Sequence, residues 1–433
     1  MEYLASDKIA IVDLGTRDII EEELDEDLVL EKIGGVGITK YLYDRFKSAH
    51  PTENGPLVLG TGLLTGTLVP GSSLGVMTAK SPSTGKVSHV PLTLDAGAEL
   101  KYSGFDYIVI KGNAEKPVYL WIHDGIVDIN DAGDLWGKDT WAATDHIRNE
   151  MGDDLIQVLG IGPAGENGSD LAQMGINYWQ SADRFGFGKL CGEKKLKLIA
   201  LRGMGLLEIS EPEAFIEDCA ELISGIRSTP VIKKQGIAAA ATALGEEDLG
   251  DWLDPLTHRH MACFNTPVAT NTFIFTDDDP SLLKESTAPE PGFLLTDIFP
   301  LLTFKKAGLS AKDAGRVLRA CAKYGIDGAA VAELSAKSGL TGPEEIEKTF
   351  PNLKGPVEST GKSVFSPWAA VGKEINENWE RRQAVAYILG IHPIWLQMAP
   401  ELTEEKLLDL AGLGTELELT RETLDEVIAD ILA

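Results

Sequence analysis

Hydrophobic and polar positions change their spacing about half-way along this chain of 433 residues. Before residue 205, short apolar runs alternate with clusters of Gly, Pro, Asn and Asp, a pattern typical of strands separated by turns. Helical spacing occurs there at Gly37–Phe46 and Thr140–Met151. The runs predicted to be strands are Ile9–Leu14, Pro56–Leu59, Val76–Ala79, Tyr107–Ile110, Val118–Ile122, Leu155–Ile161 and Leu196–Leu201.

The pattern becomes helical near Ser210, which is followed three residues later by Glu213, as in a capping box. The acidic, Pro-containing span Thr276–Glu290 is predicted to be a loop. The predicted helices are Pro212–Ile226, Gly236–Leu244, Ala311–Tyr324, Glu344–Phe350, Asn378–Leu389, Glu404–Ala411 and Arg421–Leu432. We therefore predict an α+β protein with a sheet-rich domain at residues 1–208 and a mainly α-helical domain at residues 209–433.

The net charge of −28 is spread along the whole chain. Residues 1–210 hold 19 basic and 31 acidic side chains, and the remainder holds 20 and 36. Such a surface repels nucleic acid and anionic membrane, and it suits a basic partner. No apolar run of membrane-spanning length and no secretory signal is visible, and the four cysteines are far apart, so we expect a cytoplasmic protein with reduced thiols.

Several segments of the first half occur in the order found in one enzyme family. They are Gly34–Gly37, Leu57–Gly66, Lys80–Gly85, Gly97–Asp106, Asp131–Gly137, Ile161–Asn167 and Asp183–Lys197. Together they resemble the N-terminal domain of the aldehyde:ferredoxin oxidoreductases. That resemblance implies tungsten or molybdenum held by two pterins beside a [4Fe–4S] cluster, with electrons passed to ferredoxin in an anaerobic host.

The resemblance also implies which residues would cradle the pterin. Phosphate needs a cationic partner and close backbone approach, so Arg184, Gly186 and Gly188 are the candidates, with Asp327 from a D-x-x-G-L-D-like motif. The alternative is that these glycines only allow a turn to pack tightly. Several expected residues are replaced: Phe185 stands for a glycine, Ala322 and Tyr387 for aspartates, and Pro91–Leu94 for an Asn-Ser-Gly-Gly stretch.

The positions that correspond to the four cluster ligands read Cys263, Thr266, Thr270 and His392. Threonine is a poor ligand for a cluster that requires thiolates, so a [4Fe–4S] cluster is not expected. Cys263 and His392, with the upstream His258 and His260, would suit a rebuilt mononuclear zinc or iron site. Buried or loop side chains without metal are the simpler alternative.

Asp327 and Tyr387 are separated by only 60 positions, whereas the family places most of a domain in this interval. We therefore expect a shortened helical region and no catalytic residues. The favoured hypothesis is a non-catalytic scaffold or partner subunit without cofactor, as a homo-oligomer or in a complex with a catalytic paralogue or a ferredoxin-like protein. The alternatives are an active tungsten or molybdenum pterin oxidoreductase acting on an aldehyde or carboxylate, and the rebuilt Cys/His metal site.

Overall fold

Two mixed sheets form the first half of the computed structural model, which describes residues 3–47, 55–228, 233, 235–276, 292–354, 357, 363–366 and 373–433. The six-stranded sheet has the order β2-β1-β6-β3-β4-β5, and only the β1–β6 pair is parallel. Its strands are β1 (Lys8–Asp13), β2 (Asp18–Glu23), β3 (Leu57–Thr61), β4 (Gly75–Lys80), β5 (Val87–Leu92) and β6 (Tyr107–Lys111).

The second sheet has five strands in the order β10-β9-β11-β7-β8, with β7 and β11 parallel. Its strands are β7 (Val118–His123), β8 (Ile126–Asp131), β9 (Gln157–Gly160), β10 (Gly175–Ile176) and β11 (Leu196–Arg202). The helices of this half are α1 (Glu26–Lys32), α2 (Gly35–Phe46), α3 (Ala96–Tyr102), α4 (Thr140–Met151), α5 (Pro163–Glu166) and α6 (Phe187–Glu193).

The second half is mainly helical, and it also contains a small antiparallel sheet of β12 (Thr257–Met261), β13 (Asn271–Phe275) and β14 (Gly292–Leu295). Its helices are α7 (Pro212–Ser228), α8 (Gly236–Ala243), α9 (Gly250–Leu253), α10 (Ile298–Lys306), α11 (Ala311–Tyr324), α12 (Gly328–Lys337), α13 (Pro343–Glu347), α14 (Lys373–Leu389), α15 (Pro393–Met398), α16 (Glu404–Thr415) and α17 (Arg421–Leu432). The predicted α+β fold class is confirmed. No helix in the part of the chain that the structure describes has the length and apolar character needed to cross a membrane.

Local signals explain where the best-defined helix begins and ends. The Ser310 side chain accepts a hydrogen bond from the Asp313 N–H at the start of α11, and Gly325 ends the helix in the left-handed region at φ 74°. The capping box predicted at Ser210 is wrong, because the Ser210 hydroxyl donates to Glu416 and α7 begins two residues later. The predicted loop at Thr276–Glu290 lies outside the described residues after Thr276.

The two halves share one hydrophobic core, which contains buried side chains from Leu4 to Ile431. Backbone hydrogen bonds also join them: the Leu63 N–H donates to the Ile388 carbonyl at 3.3 Å, and the Gln173 N–H donates to the Gly325 carbonyl at 2.9 Å. These contacts place the turn that contains Arg184, in the first half, beside α10, α12 and the end of α14. The division at residues 208 and 209 stays a prediction.

Candidate functional site

The turn that carries Arg184 is fixed by the carboxylate before it. Asp183 is fully buried, and it accepts backbone hydrogen bonds from Phe185 at 3.0 Å, Met174 at 3.1 Å and Gly188 at 3.3 Å. Burial raises the pKa of Asp183 to about 6, although these N–H donors act in the opposite direction. The turn is therefore held rigidly, and the Arg184 side chain projects from a defined position.

Arg184 forms an ion pair with a carboxylate of the helical region. Its Nη2 donates to Oδ2 of Asp297, and the exposed fractions of the two side chains are 0% and 3%. Asp297 also caps α10 by accepting from the Phe299 N–H at 3.1 Å, and the guanidinium lies 5.2 Å from the centre of the Phe299 ring. Burial raises the pKa of Asp297, and Arg184 opposes this rise. The cation is thus sealed inside the protein beside an acidic partner.

Asp327 lies near this pair and has a structural role in the chain itself. Its carboxylate caps α12, accepting from the Ala329 N–H at 2.9 Å and the Ala330 N–H at 3.2 Å. Burial raises its pKa to about 7, Arg184 lowers it, and Asp297 adds to the rise. The residue that the resemblance assigns to pterin therefore uses its hydrogen-bonding capacity at a helix end.

Tyr387 completes what we call the Arg184 cluster, namely Arg184, Asp297, Asp327 and Tyr387. Its side chain is buried, its ring centre lies 5.0 Å from that of Phe365, and its hydroxyl has no hydrogen-bond partner among the described residues. Burial raises the pKa of Tyr387, and Arg184 opposes this. The position where the family has a pterin-binding aspartate thus contributes a neutral aromatic ring.

The two predicted cradle glycines are required for packing within the chain. Gly186 has φ +79°, and a Cβ there would lie 2.9 Å from Ser83 Oγ. A Cβ at Gly188 would lie 2.5 Å from the Gln173 carbonyl oxygen. These contacts favour the alternative interpretation of the glycines, in which they allow α6 to pack closely against neighbouring backbone.

Cys263, the single cysteine at the cluster positions, is a buried thiol. Its Sγ accepts from Asn271 Nδ2 at 3.6 Å, and burial raises its pKa to about 11. In this structure the thiol is therefore protonated at neutral pH. The Thr266 hydroxyl donates to a local carbonyl, that of Phe264, at 3.4 Å. The donor set of these positions does not fit a [4Fe–4S] cluster.

His392 and the loop after Cys263 are both hydrogen-bonded to the backbone of Gly71. The His392 N–H donates to the Gly71 carbonyl at 2.8 Å, and the Gly71 N–H donates to the Asn265 carbonyl at 2.8 Å. Trp395 is fully buried against Gly71, so closely that a Cβ on the glycine would lie 2.2 Å from its ring. Burial lowers the pKa of His392 to about 3, so the imidazole is neutral. The chain thus brings the predicted loops together and fills the region with apolar and neutral side chains.

His258 and His260 lie on β12 and are exposed. His260 Nδ1 is 3.1 Å from Thr272 Oγ1, and the His258 ring centre is 4.7 Å from that of Phe275. Within the described residues there is no group of three or more His, Cys, Asp or Glu side chains that could hold a metal ion. The structure therefore does not bring the predicted set of four together as a metal site.

Comparison with known proteins accounts for this architecture. Residues 9–203 match the family model of the aldehyde ferredoxin oxidoreductase N-terminal domain. The first half of the chain is therefore similar to the N-terminal domain of the aldehyde ferredoxin oxidoreductases. The chain is 36% identical over 248 residues to the tungsten-containing aldehyde ferredoxin oxidoreductase of Pyrococcus furiosus, and 35% identical over 245 residues to that of Thermococcus kodakarensis. Each alignment covers 55% of this chain and 40% of the relative, so the chain matches about two-fifths of these enzymes.

Two further similarities concern named parts of complexes. The chain is 28% identical over 264 residues to the aliphatic sulfonate oxidoreductase, WOR-like subunit, of Pyrococcus furiosus. This alignment covers 57% of this chain and 42% of that subunit. A solved structure, the active site complex BamBC of benzoyl coenzyme A reductase with 1,5-dienoyl-CoA, superposes with a TM-score of 0.66 at 24% identity. That match covers 94% of this chain and 65% of the other, and it establishes a shared fold.

Three important residues were missed by the sequence interpretation: Asp183, Asp297 and Trp395. Asp297 carried a readable signal, since an aspartate directly before the apolar run Ile298–Phe304 is typical of a helix N-cap. Its pairing with Arg184 joins positions 113 residues apart, which no local pattern encodes. Trp395 had no signal beyond its hydrophobicity.

Proposed function

We propose that this chain is a non-catalytic subunit built on the aldehyde ferredoxin oxidoreductase scaffold, without the [4Fe–4S] cluster and without most of the side chains that would hold a pterin. The observation that carries the proposal is the buried ion pair of Arg184 and Asp297. The best remaining phosphate-binding cation is occupied by a carboxylate of the same chain.

The physical argument concerns access and charge. A pterin phosphate needs a cationic donor that it can approach, because charge-assisted hydrogen bonds require contact distance. The Arg184 side chain has no exposed surface, and a phosphate would have to displace Asp297 and bring further negative charge beside Asp327. Phe185 and Tyr387 add buried aromatic bulk where the family has a glycine and an aspartate. These features all disfavour an anionic cofactor.

The proposed role is to assist another protein. Two of the similar proteins are named as a subunit and as a complex, and the acidic surface suits a basic partner. A catalytic paralogue or an iron–sulfur protein is the natural class of partner. The chain would then supply structure or docking, and the partner would carry the redox centre.

The decisive test is the metal content of the full chain after anaerobic production with tungstate, molybdate, iron and zinc available. Plasma mass spectrometry should find each metal far below one atom per chain, while the Pyrococcus furiosus tungsten enzyme prepared in parallel retains its tungsten. Tungsten or molybdenum near one per chain would overturn the proposal. So would zinc or iron near one per chain that is lost in both Cys263→Ser and His392→Gln.

A further inference from the structure

The segment between β11 and α7 presents the two most exposed large apolar side chains of the described part of the chain. Leu206 is 91% exposed and Met204 is 79% exposed, and the 49%-exposed Leu68 belongs to a neighbouring loop. We call these three residues the apolar tip. Leu206 and Leu68 line a recess of about 460 Å³ whose other lining residues include Gly66, Thr67, Tyr102, Leu207, Ile209 and Phe264. Exposed apolar side chains grouped around a recess are typical of interaction sites.

The backbone that carries the apolar tip is held in place. The Gly203 N–H donates to Glu99 Oε1 at 2.8 Å, and the Gly205 N–H donates to the Tyr102 carbonyl at 2.9 Å. The Tyr102 hydroxyl donates to the Gly66 carbonyl on the other side of the recess. A partner would therefore meet a preformed surface and would not bear the entropy of ordering it.

The segment that follows the apolar tip is acidic, whereas Arg202 before it is paired with Glu99 and Asp153. Residues 203–226 contain six acidic side chains and no basic one: Glu208, Glu211, Glu213, Glu217, Asp218 and Glu221. Glu211, Glu213 and Glu217 are exposed. A second copy of this chain docking through the same face would place these carboxylates against each other, which is unfavourable. A partner with Lys and Arg around an apolar side chain would complement both features.

We propose that the apolar tip and the exposed carboxylates of Glu211, Glu213 and Glu217, which follow it in the chain at the start of α7, form a docking surface for a basic protein. The partner inserts an apolar side chain beside Leu206 and sets its cationic groups against the α7 carboxylates. This inference rests on the proposed function as a partner subunit, and it specifies the chemistry of the partner.

The test is photo-crosslinking of the full chain in its host cells, with p-benzoylphenylalanine placed at Leu206. The matched control carries the same probe at Leu155, which is 62% exposed and lies outside the recess. The expected result is one protein crosslinked from position 206 and not from 155. Mass spectrometry should map its crosslinked peptide to an apolar residue flanked by Lys or Arg.

Charge reversal identifies the source of the attraction. Combining Glu211→Lys, Glu213→Lys and Glu217→Lys with the probe at 206 should reduce the crosslink by about tenfold or more. A matched reversal of three exposed acids elsewhere, Asp18, Glu23 and Glu31, should leave it unchanged.

Four results would overturn the inference. They are a crosslink to a second copy of this chain, a crosslinked peptide without basic residues, equal crosslinking from position 155, or a crosslink that is unchanged when Glu211, Glu213 and Glu217 are reversed in charge. Metal content of the same preparation separates this failure from that of the proposed function. A tungsten-loaded chain that still crosslinks overturns the non-catalytic role alone, and a metal-free chain without the crosslink overturns the docking surface alone.

Discussion

The Arg184–Asp297 pair gives the sharpest prediction, because removing one buried partner and removing both have opposite consequences. Asp297→Asn keeps a side chain that can cap α10, yet it leaves a guanidinium with no exposed surface beside a neutral amide. Arg184→Met leaves a buried carboxylate without its cation. The double variant Arg184→Met with Asp297→Leu removes both charges and keeps the volume apolar.

The expected magnitudes follow from desolvation. Breaking a buried ion pair by removing one partner costs about 3–5 kcal/mol, because the remaining charge stays out of water. Replacing both partners by apolar groups of similar volume is often neutral or stabilising, and loss of the Asp297 cap subtracts about 1 kcal/mol. We therefore expect each single variant to lose about 3–5 kcal/mol of unfolding free energy, and the double variant to stay within about 2 kcal/mol of wild type.

Urea unfolding at pH 7.5, followed by tryptophan fluorescence, measures these differences as shifts of the transition midpoint at unchanged slope. The matched control is the surface pair of Arg45 and Glu22, in which two hydrogen bonds of 2.7 and 2.9 Å join the side chains. Both of these side chains are partly exposed, so Glu22→Gln should cost no more than about 1 kcal/mol. Comparing the buried Arg184–Asp297 pair with the partly exposed Arg45–Glu22 pair therefore measures the effect of burial on the cost of breaking an ion pair.

Two outcomes would refute the reasoning. One is a cost for Asp297→Asn as small as that for Glu22→Gln, which would mean that Arg184 reaches solvent or another counter-charge. The other is a double variant whose loss equals the sum of the single losses. Residues in contact should instead show a coupling energy far above the roughly 0.3–0.5 kcal/mol within which independent sites add.

Three further predictions concern neighbouring residues. Because Asp327 holds a proton more tightly in the folded state (pKa about 7, from 3.8), its contribution to stability should decrease by up to roughly 4 kcal/mol as pH rises from about 4 to 7, and Asp327→Asn should remove that share of the decrease in urea midpoints. His392, with its pKa lowered to about 3, acts oppositely: its contribution is lost as pH falls below 6.5, so His392→Gln should lessen acid sensitivity, and an unchanged acid midpoint would contradict this. Gly71→Ala must clash with Trp395 and should cost several kcal/mol, whereas Gly85→Ala, also at positive φ but in open space, should cost only about 1–2 kcal/mol in the same assay.

Elements with strong local signals were predictable from the sequence. The predicted helices Thr140–Met151, Ala311–Tyr324 and Arg421–Leu432 are observed with the same bounds, because each has a side-chain N-cap. The sheet of β12 to β14 was missed: β12 is largely exposed and polar, so it lacks the apolar alternation that marks a half-buried strand. Pairing between distant segments, and not propensity, makes it a strand.

The candidate site was predictable in its members and not in its contacts. Arg184, Asp327 and Tyr387 were named from motifs. In the structure the charge of Arg184 lowers the pKa of both Asp327 and Tyr387. The role of each depends on a partner from another part of the chain, such as Asp297 for Arg184 and the start of α12 for Asp327. A motif predicts which residues belong to a site, whereas the hydrogen-bond partners of those residues are set by the tertiary fold.

If the cofactor has been lost, as proposed, the ion pair with Asp297 also explains how an arginine can remain at position 184. A buried guanidinium without a counter-charge is strongly destabilising, so such a residue must either be replaced or acquire a new anion. Asp297 is such an anion, and the same side chain caps α10. On this argument Arg184 now holds the helical region against the sheet-rich half. The role of Arg184 is then set by its ion pair with Asp297 and not by the motif in which it stands.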